Sequence, residues 1–239
     1  MSDLLEKVLN AHGGLQNWRR VNSIDFLLTL RGAALELKKQ PQGLRNALVK
    51  VDAKRTRTAI APFPAPGSRG IFEDGKVRIE TDAGVATSTL DEPHKSFEGY
   101  DRQSSWNELQ FLYFIGYALR NYLTMPFLLA SDGVRCEEIA PHEEHGERWR
   151  VLKVTFPHDI EVHCTEQRFY FNDADYLIRN DYAPDVSKGP ASHYTFDHRT
   201  FDGFVFPTHR RVVFRDANDQ TLLRAPSIFR LDIESVTLS

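Results

Sequence analysis

Residues 109–130 read LQFLYFIGYALRNYLTMPFLLA, and the fold turns on what this stretch is. Its length would suit a membrane span, but Gln110, Arg120, Asn121 and Pro126 interrupt it, and an unpaired arginine in mid-span is costly in hydrocarbon. Leu109, Phe111, Leu112, Phe114, Ile115, Ala118 and Leu119 occupy all sides of a 3.6-residue period, so a helix here is expected to be covered over most of its surface. Ser105-Trp106-Asn107-Glu108 reads as a capping box that opens it, and the helix is expected to run to about Leu123.

On both sides of this helix the apolar period is two. Upstream, Ile24, Phe26, Leu28 and Leu30 alternate with Asp25 and Thr29. Leu35 and Leu37 alternate with Glu36 and Lys38, and Ala47, Val49, Val51 and Ala53 with Lys50 and Asp52. These are strands with one wet face. Glu73-Asp74-Gly75-Lys76 predicts a hairpin turn, because Asp-Gly accommodates the positive φ angles of a type I′ turn, and the meander runs on to about Leu90. Pro62, Pro64 and Pro66 make Ala61 to Ser68 a loop. Downstream, strands are expected at Trp149–Val154, Val162–Phe171, Tyr176–Tyr182, His193–Phe196, Phe204–Phe214 and Ile228–Val236, with turns at Asn172-Asp173, Asp202-Gly203 and Asn218-Asp219. At the start, Leu4, Leu5, Val8 and Leu9 form one helical stripe that stops at His12-Gly13-Gly14, and Leu15 to Arg20 adds a turn or two. About a dozen strands with one central helical insertion predict an α+β fold in one domain, residues 1–239: a strongly curved antiparallel sheet whose concave face the helix covers.

Composition sets bounds on function. Hydrophobic residues are 41% and charged residues 26% of the 239, which fits a globular chain and excludes collagen-like and low-complexity classes. Thirty Lys and Arg against 33 Asp and Glu give a net charge of −3, without the basic footprint that phosphate backbones need, so no nucleic-acid partner is expected. Cys136 and Cys164 are too few for a disulfide framework and are read as reduced. The start, Met1-Ser2-Asp3-Leu4-Leu5-Glu6-Lys7, lacks the basic and apolar regions of a secretory signal, so cytoplasmic residence and no transmembrane segment are the expectations.

The order of a helix ending in Ala11-His12-Gly13-Gly14, a meander, a helix ending in Thr124-Met125-Pro126-Phe127-Leu128-Leu129 and a second meander resembles the lipoprotein-carrier superfamily of the bacterial outer-membrane sorting pathway. The resemblance spans most of the chain and implies an unclosed antiparallel barrel with helices over its mouth and an apolar cavity for acyl chains. It suggests a cytoplasmic branch of that fold.

His142-Glu143-Glu144-His145 lacks the spacing of a helical zinc motif, and Pro141 and Gly146 place it in a turn, so a solvated acidic loop is expected. No phosphate-binding glycine loop, dinucleotide fingerprint, nucleophile elbow or Cys-x-x-Cys pair occurs, and neither a cofactor nor a metal is expected. If Ile160 to Phe171 is one strand, His163, Thr165 and Gln167 share a face; Leu177, Arg179 and Asp181 share a face of the next strand, and His193, Thr195 and Asp197 a face of the one after. His163, Gln167, Arg179, Asp181 and His193 are therefore the candidate polar cluster on the concave side. His163, Asp181 and His193 are the candidates for proton transfer, because histidine titrates near neutrality and a carboxylate orients it. On the central helix Tyr113, Tyr117 and Tyr122 can hydrogen-bond a ligand or anchor the helix, and Arg120 can meet a ligand carboxylate. Arg210-Arg211 alternates across the last meander and is read as a solvated pair. The leading expectation is binding of a hydrophobic small molecule, lipid-like or aromatic, in an apolar cavity between sheet and helical lid, with Gln167 and Arg179 among its contacts. A concave face filled solidly by the chain's own side chains would sink it. The alternatives are an enzyme acting on such a ligand by His/Asp acid–base chemistry, a metal-assisted version of it, and an interaction protein that pairs through an exposed sheet edge.

Overall fold

The computed structural model describes residues 2–216 and 220–239. Helices α1 (Asp3–Ala11) and α2 (Leu15–Trp18) lead into β1 (Ser23–Arg31) and the short α3 (Ala33–Leu37). A first meander continues through β2 (Leu44–Asp52), β3 (Arg57–Ala61), β4 (Ser68–Glu73), β5 (Lys76–Thr81) and β6 (Ala86–Leu90). Helix α4 (Glu108–Thr124) separates it from a second, made of β7 (Arg135–Glu144), β8 (Glu147–Thr155), β9 (Glu166–Phe171), β10 (Leu177–Tyr182), β11 (Ala191–Phe201), β12 (Phe204–Phe214) and β13 (Phe229–Leu238). Among the described residues these thirteen strands form one antiparallel sheet, ordered β6-β5-β4-β3-β2-β1-β13-β12-β11-β10-β9-β8-β7. Each meander is laid down in sequence order, and the pairing of β1 with β13, Ile24 opposite Leu238, joins the two. The edges β6 and β7 do not pair among the described residues, so the curved sheet is an unclosed barrel, as the sequence led us to expect.

This topology puts α4 between the two edges in chain order, so the helix crosses the inner face of the sheet. It packs on β3, β4 and β5. A Cβ at Gly116 would stand 2.4 Å from Cβ of Phe72 on β4, which shows how closely the helix approaches that strand. Its whole length contributes to the main core, from Phe111 and Leu112 to Leu123, together with Phe26, Val49, Phe72, Leu152 and Phe206 of the sheet. No helix among the described residues is long and apolar enough to cross a membrane.

Several local expectations need correction. The Leu35–Leu37 segment is helix, not strand: residues two apart lie on different sides of a helix, and accordingly Leu35 is buried while Leu37 is 40% exposed. Helix α4 starts two residues later than read, with Asn107 as its cap and Gln110 closing a reciprocal capping box, while Trp106 is buried beneath Lys38. The strand expected from Ile160 begins at Glu166, because the preceding residues loop out between the Phe156–Thr165 and Asp185–His163 backbone hydrogen bonds. His142 lies in β7, and the turn is made by His145 and Gly146, both with positive φ. Asp74-Gly75 and Asp202-Gly203 turn as expected. The turn read at Asn218-Asp219 lies outside the described residues.

Candidate functional site

Spacing on α4 builds the inner site. Tyr113, Tyr117 and Asn121 follow one another at four-residue intervals and so share a stripe. That stripe meets the 157–165 loop: Tyr113 donates to Glu161 Oε2 at 2.6 Å, and Asn121 Nδ2 donates to the Glu161 carbonyl at 3.0 Å. His163 sits between two tyrosines, its Nδ1 3.1 Å from Tyr117 Oη and its Nε2 2.5 Å from Tyr122 Oη. Tyr122 Oη is also 2.7 Å from Tyr182 Oη of β10, and the His163 ring stacks on Tyr182 at 4.1 Å. Burial pushes the His163 imidazole down to about 3, so it is neutral at physiological pH, donating from one nitrogen and accepting at the other. Burial likewise holds the phenols of Tyr117, Tyr122 and Tyr182 above their ordinary range. The result is a continuous, buried chain of neutral hydrogen bonds, Tyr117–His163–Tyr122–Tyr182.

Next to it, β11 and β12 bring in His193 and Arg210. Along β12, Phe206, Arg210 and Val212 face inward while Arg211 and Val213 face outward, as the period of two requires. Arg210 is 2% exposed; its Nη2 donates to the Tyr122 carbonyl at 2.7 Å, and the His193 ring meets Tyr122 edge-on at 4.3 Å. Among the described residues no carboxylate lies within ion-pair distance of Arg210, and its Nε has no partner. His193 Nε2 and Asn121 Oδ1 are also buried without partners. Burial draws Arg210 down to about 10, which leaves it charged near neutrality; burial and then the Arg210 charge hold His193 well below the usual imidazole range. The sequence reading of Arg210 as a solvated residue is therefore wrong: the two arginines alternate across β12 as read, but the face that Arg210 takes is the one α4 covers.

Among the described residues, the voids that lie between α4 and the inner face are small. A void of about 20 Å³ lies between Phe114, Ile115 and Leu119 of α4 and Val212, Phe229 and Leu231 of the sheet, with Tyr122, His193 and Arg210 on its wall. A second, about 10 Å³, lies on the other side of His193 and Arg210, against Asn121, His163 and Gln167. The first suffices for about one water, and both are far below the roughly 300 Å³ at which ligand pockets begin.

The candidate cluster divides between the two faces. His163, Gln167 and His193 lie inside, where Gln167 accepts from Asn180 Nδ2 at 3.2 Å. A bulge between Leu177 and Arg179 shifts β10 by one residue, so Leu177 stays inside while Arg179 and Asp181 point outward. There Arg179 makes a two-pronged contact with Asp181, Nε–Oδ1 and Nη2–Oδ2 both 2.7 Å, and a further ion pair with Glu144. Tyr170 donates to Asp181 at 2.8 Å and Tyr194 to Glu144 at 2.8 Å. Burial opposes the charge on Arg179, but the Asp181 carboxylate outweighs it and raises the guanidinium above its ordinary value. Asp181 thus serves Arg179 on the outer face and orients neither inner histidine. Arg120 is half-buried and donates to the Arg55 carbonyl at 3.4 Å, away from the inner voids. Among the described residues no three His, Cys, Asp or Glu side chains gather as a metal site. The outer face also bears an open groove of about 440 Å³ lined by Trp149, Ile178, Tyr194, Phe196, Arg211 and Leu223.

No family model matches the chain, and no curated protein matches it in sequence. Solved structures do. A LolA superfamily protein from Nitrosomonas europaea superposes with a TM-score of 0.53 at 12% identity, covering 99% of this chain and 92% of that one. The chain has a LolA-type fold. A putative outer-membrane lipoprotein-sorting protein domain from Vibrio parahaemolyticus gives 0.55 at 9% identity over 99% and 91% of the two chains. A DUF1329 family protein from Desulfovibrio piger gives 0.51 at 8% over 100% and 94%. These likenesses run the full length of both meanders, so α4 and its voids occupy the inside of a LolA-type barrel.

Proposed function

We propose that the protein binds a hydrophobic small molecule between α4 and the β11–β13 part of the barrel. The observation that carries this reading is the asymmetry of α4. Its contact with β3–β5 is close enough that Gly116 leaves no space for a Cβ, whereas its other side faces β12 and β13 across the residual void. A small outward movement of the helix on that side would open a slot walled by Phe114, Ile115, Leu119, Val212 and Phe229. Apart from the two small voids the inner face is filled by the chain's own side chains, which counts against a ready-made cavity; the proposal is therefore of binding in which a ligand replaces α4's own apolar contacts. The LolA-type architecture supports the reading, and the Vibrio protein of similar fold is described as a putative outer-membrane lipoprotein-sorting domain. Proton transfer is less well supported: both His163 nitrogens are engaged by tyrosines, and its low pKa leaves it no proton to give near neutrality.

Titration with Nile red, an uncharged apolar dye, tests the proposal. Saturable one-to-one binding with a blue-shifted emission, unchanged by Phe196→Asp in the outer groove, is expected. Absence of binding, or its loss in Phe196→Asp, would sink the proposal.

A further inference from the structure

Three features lie outside this reading: the outer groove, the buried Arg179–Asp181–Glu144 network and the unpaired Arg210. The polar groups of the first two are already satisfied. Arg211 at the groove donates to the Ser227 hydroxyl and to the Leu223 and Ala225 carbonyls, and Arg179 is held by two carboxylates. Arg210 is different. It is a guanidinium only 2% exposed, charged near neutrality, whose contacts among the described residues are the Tyr122 carbonyl and the face of the Tyr122 ring, 5.7 Å from its Cζ, with no carboxylate among them. Buried charges are ordinarily paired, since removal from water is not offset otherwise. Its free Nε and the free Nε2 of His193 both belong to residues that wall the two inner voids, and Asn121 Oδ1 borders the second.

Resting on the proposed binding of a hydrophobic molecule, we propose that this molecule ends in an anion of carboxylate type and that Arg210, with His193 beside it, is the seat of that anion. A guanidinium offers a carboxylate two parallel N–H donors, and at Arg210 the Nε donor is without a partner while Nη2 serves the Tyr122 carbonyl with one of its two hydrogens. Neutral His193 can donate a further hydrogen bond when its proton is on Nε2. The apolar chain attached to the anion would lie along Phe114, Ile115, Leu119 and Phe229, in the direction of the larger void. This class covers fatty acids and other amphipathic monoacids, and leaves out alcohols and esters of the same chain length.

Calorimetric titration of the full chain with decanoate and with 1-decanol at pH 7.5, in the parent and in Arg210→Met, tests the assignment. Decanoate is expected to bind the parent about 10- to 100-fold more tightly than decanol, the span expected of hydrogen bonds to a charged group. Arg210→Met should abolish that preference, leave decanol binding unchanged and melt no lower than the parent, because it removes an unpaired buried charge. Equal binding of the two compounds by the parent, or a preference that survives in Arg210→Met, would overturn the anion seat while leaving hydrophobic binding intact. Failure of both compounds to bind would remove both readings. An Arg210→Met protein that fails to fold or melts lower would make the guanidinium a structural prop and overturn the assignment.

Discussion

Acidification to pH 5 should destabilise this protein through histidines rather than carboxylates. His12 caps α1 with Nδ1 on the Val8 carbonyl and is 1% exposed; burial lowers it to about 4, and His163 to about 3. His193 is shifted in the same direction by burial and by Arg210. In the unfolded chain each returns to an ordinary value near 6.5. Between that value and the folded one the unfolded state binds more protons, so stability falls as pH falls. At pH 5, about 1.5 units below the unfolded value, His12 and His163 each withdraw about 2 kcal/mol, and His193 adds to this. A loss of that size is a large fraction of the roughly 5–15 kcal/mol that holds a domain folded. Carboxylates held low in the folded state, such as Glu73 on Arg78, lose their contribution only below about pH 4.5, so the window from pH 6.5 to 5 reports the imidazoles. Urea midpoints measured at pH 7.5, 6.5, 5.5 and 5.0 should fall steadily below pH 6.5. His163→Gln, which keeps polar contacts but cannot titrate, should lose about 2 kcal/mol less over the same interval. A midpoint that stays level to pH 5, or an equal slope in His163→Gln, would refute the buried neutral histidines.

Gly116→Ala should lower stability by about 1–3 kcal/mol in urea unfolding, because the new methyl group would press on Cβ and Cγ of Phe72 and push α4 off β4. Asp181→Ala leaves Arg179, 4% exposed, with only part of its compensation and frees the Tyr170 hydroxyl; a loss of about 3 kcal/mol is expected, partly recovered in Arg179→Met/Asp181→Leu. Preserved stability in Asp181→Ala would show that Glu144 alone can hold the buried guanidinium.

What could be read from the sequence was local and periodic. The alternation in Ile24–Leu30, the Asp-Gly turns and the all-round apolar helix after residue 108 each reflect a repeat shorter than the element itself, and they suffice for two meanders and a buried helix. The joining of β1 to β13 leaves no local trace, and the resemblance in element order implied an unclosed barrel without saying which strands join the two meanders. The site was less legible because faces are counted in steps of one residue. The bulge after Leu177 carries Arg179 and Asp181 away from His163 and His193, and a bulge has no composition that the strand Leu177–Tyr182 displays. His163 was placed inside by the wrong route, since it reaches α4 from a loop and not from a strand. Arg210 was within reach: it falls in step with Phe206 and Val212, and counting that alternation through the Arg210-Arg211 doublet puts a guanidinium on the core face.

The most direct measurement of ligand entry along α4 is hydrogen exchange read by mass spectrometry, with and without saturating Nile red. Binding between the helix and the second meander should slow exchange in α4 and in β12 and β13 while leaving β3–β5 unchanged. Protection confined to the outer groove around Trp149, Tyr194 and Phe196, with α4 unaffected, would contradict it and move the binding site to the other face of the sheet.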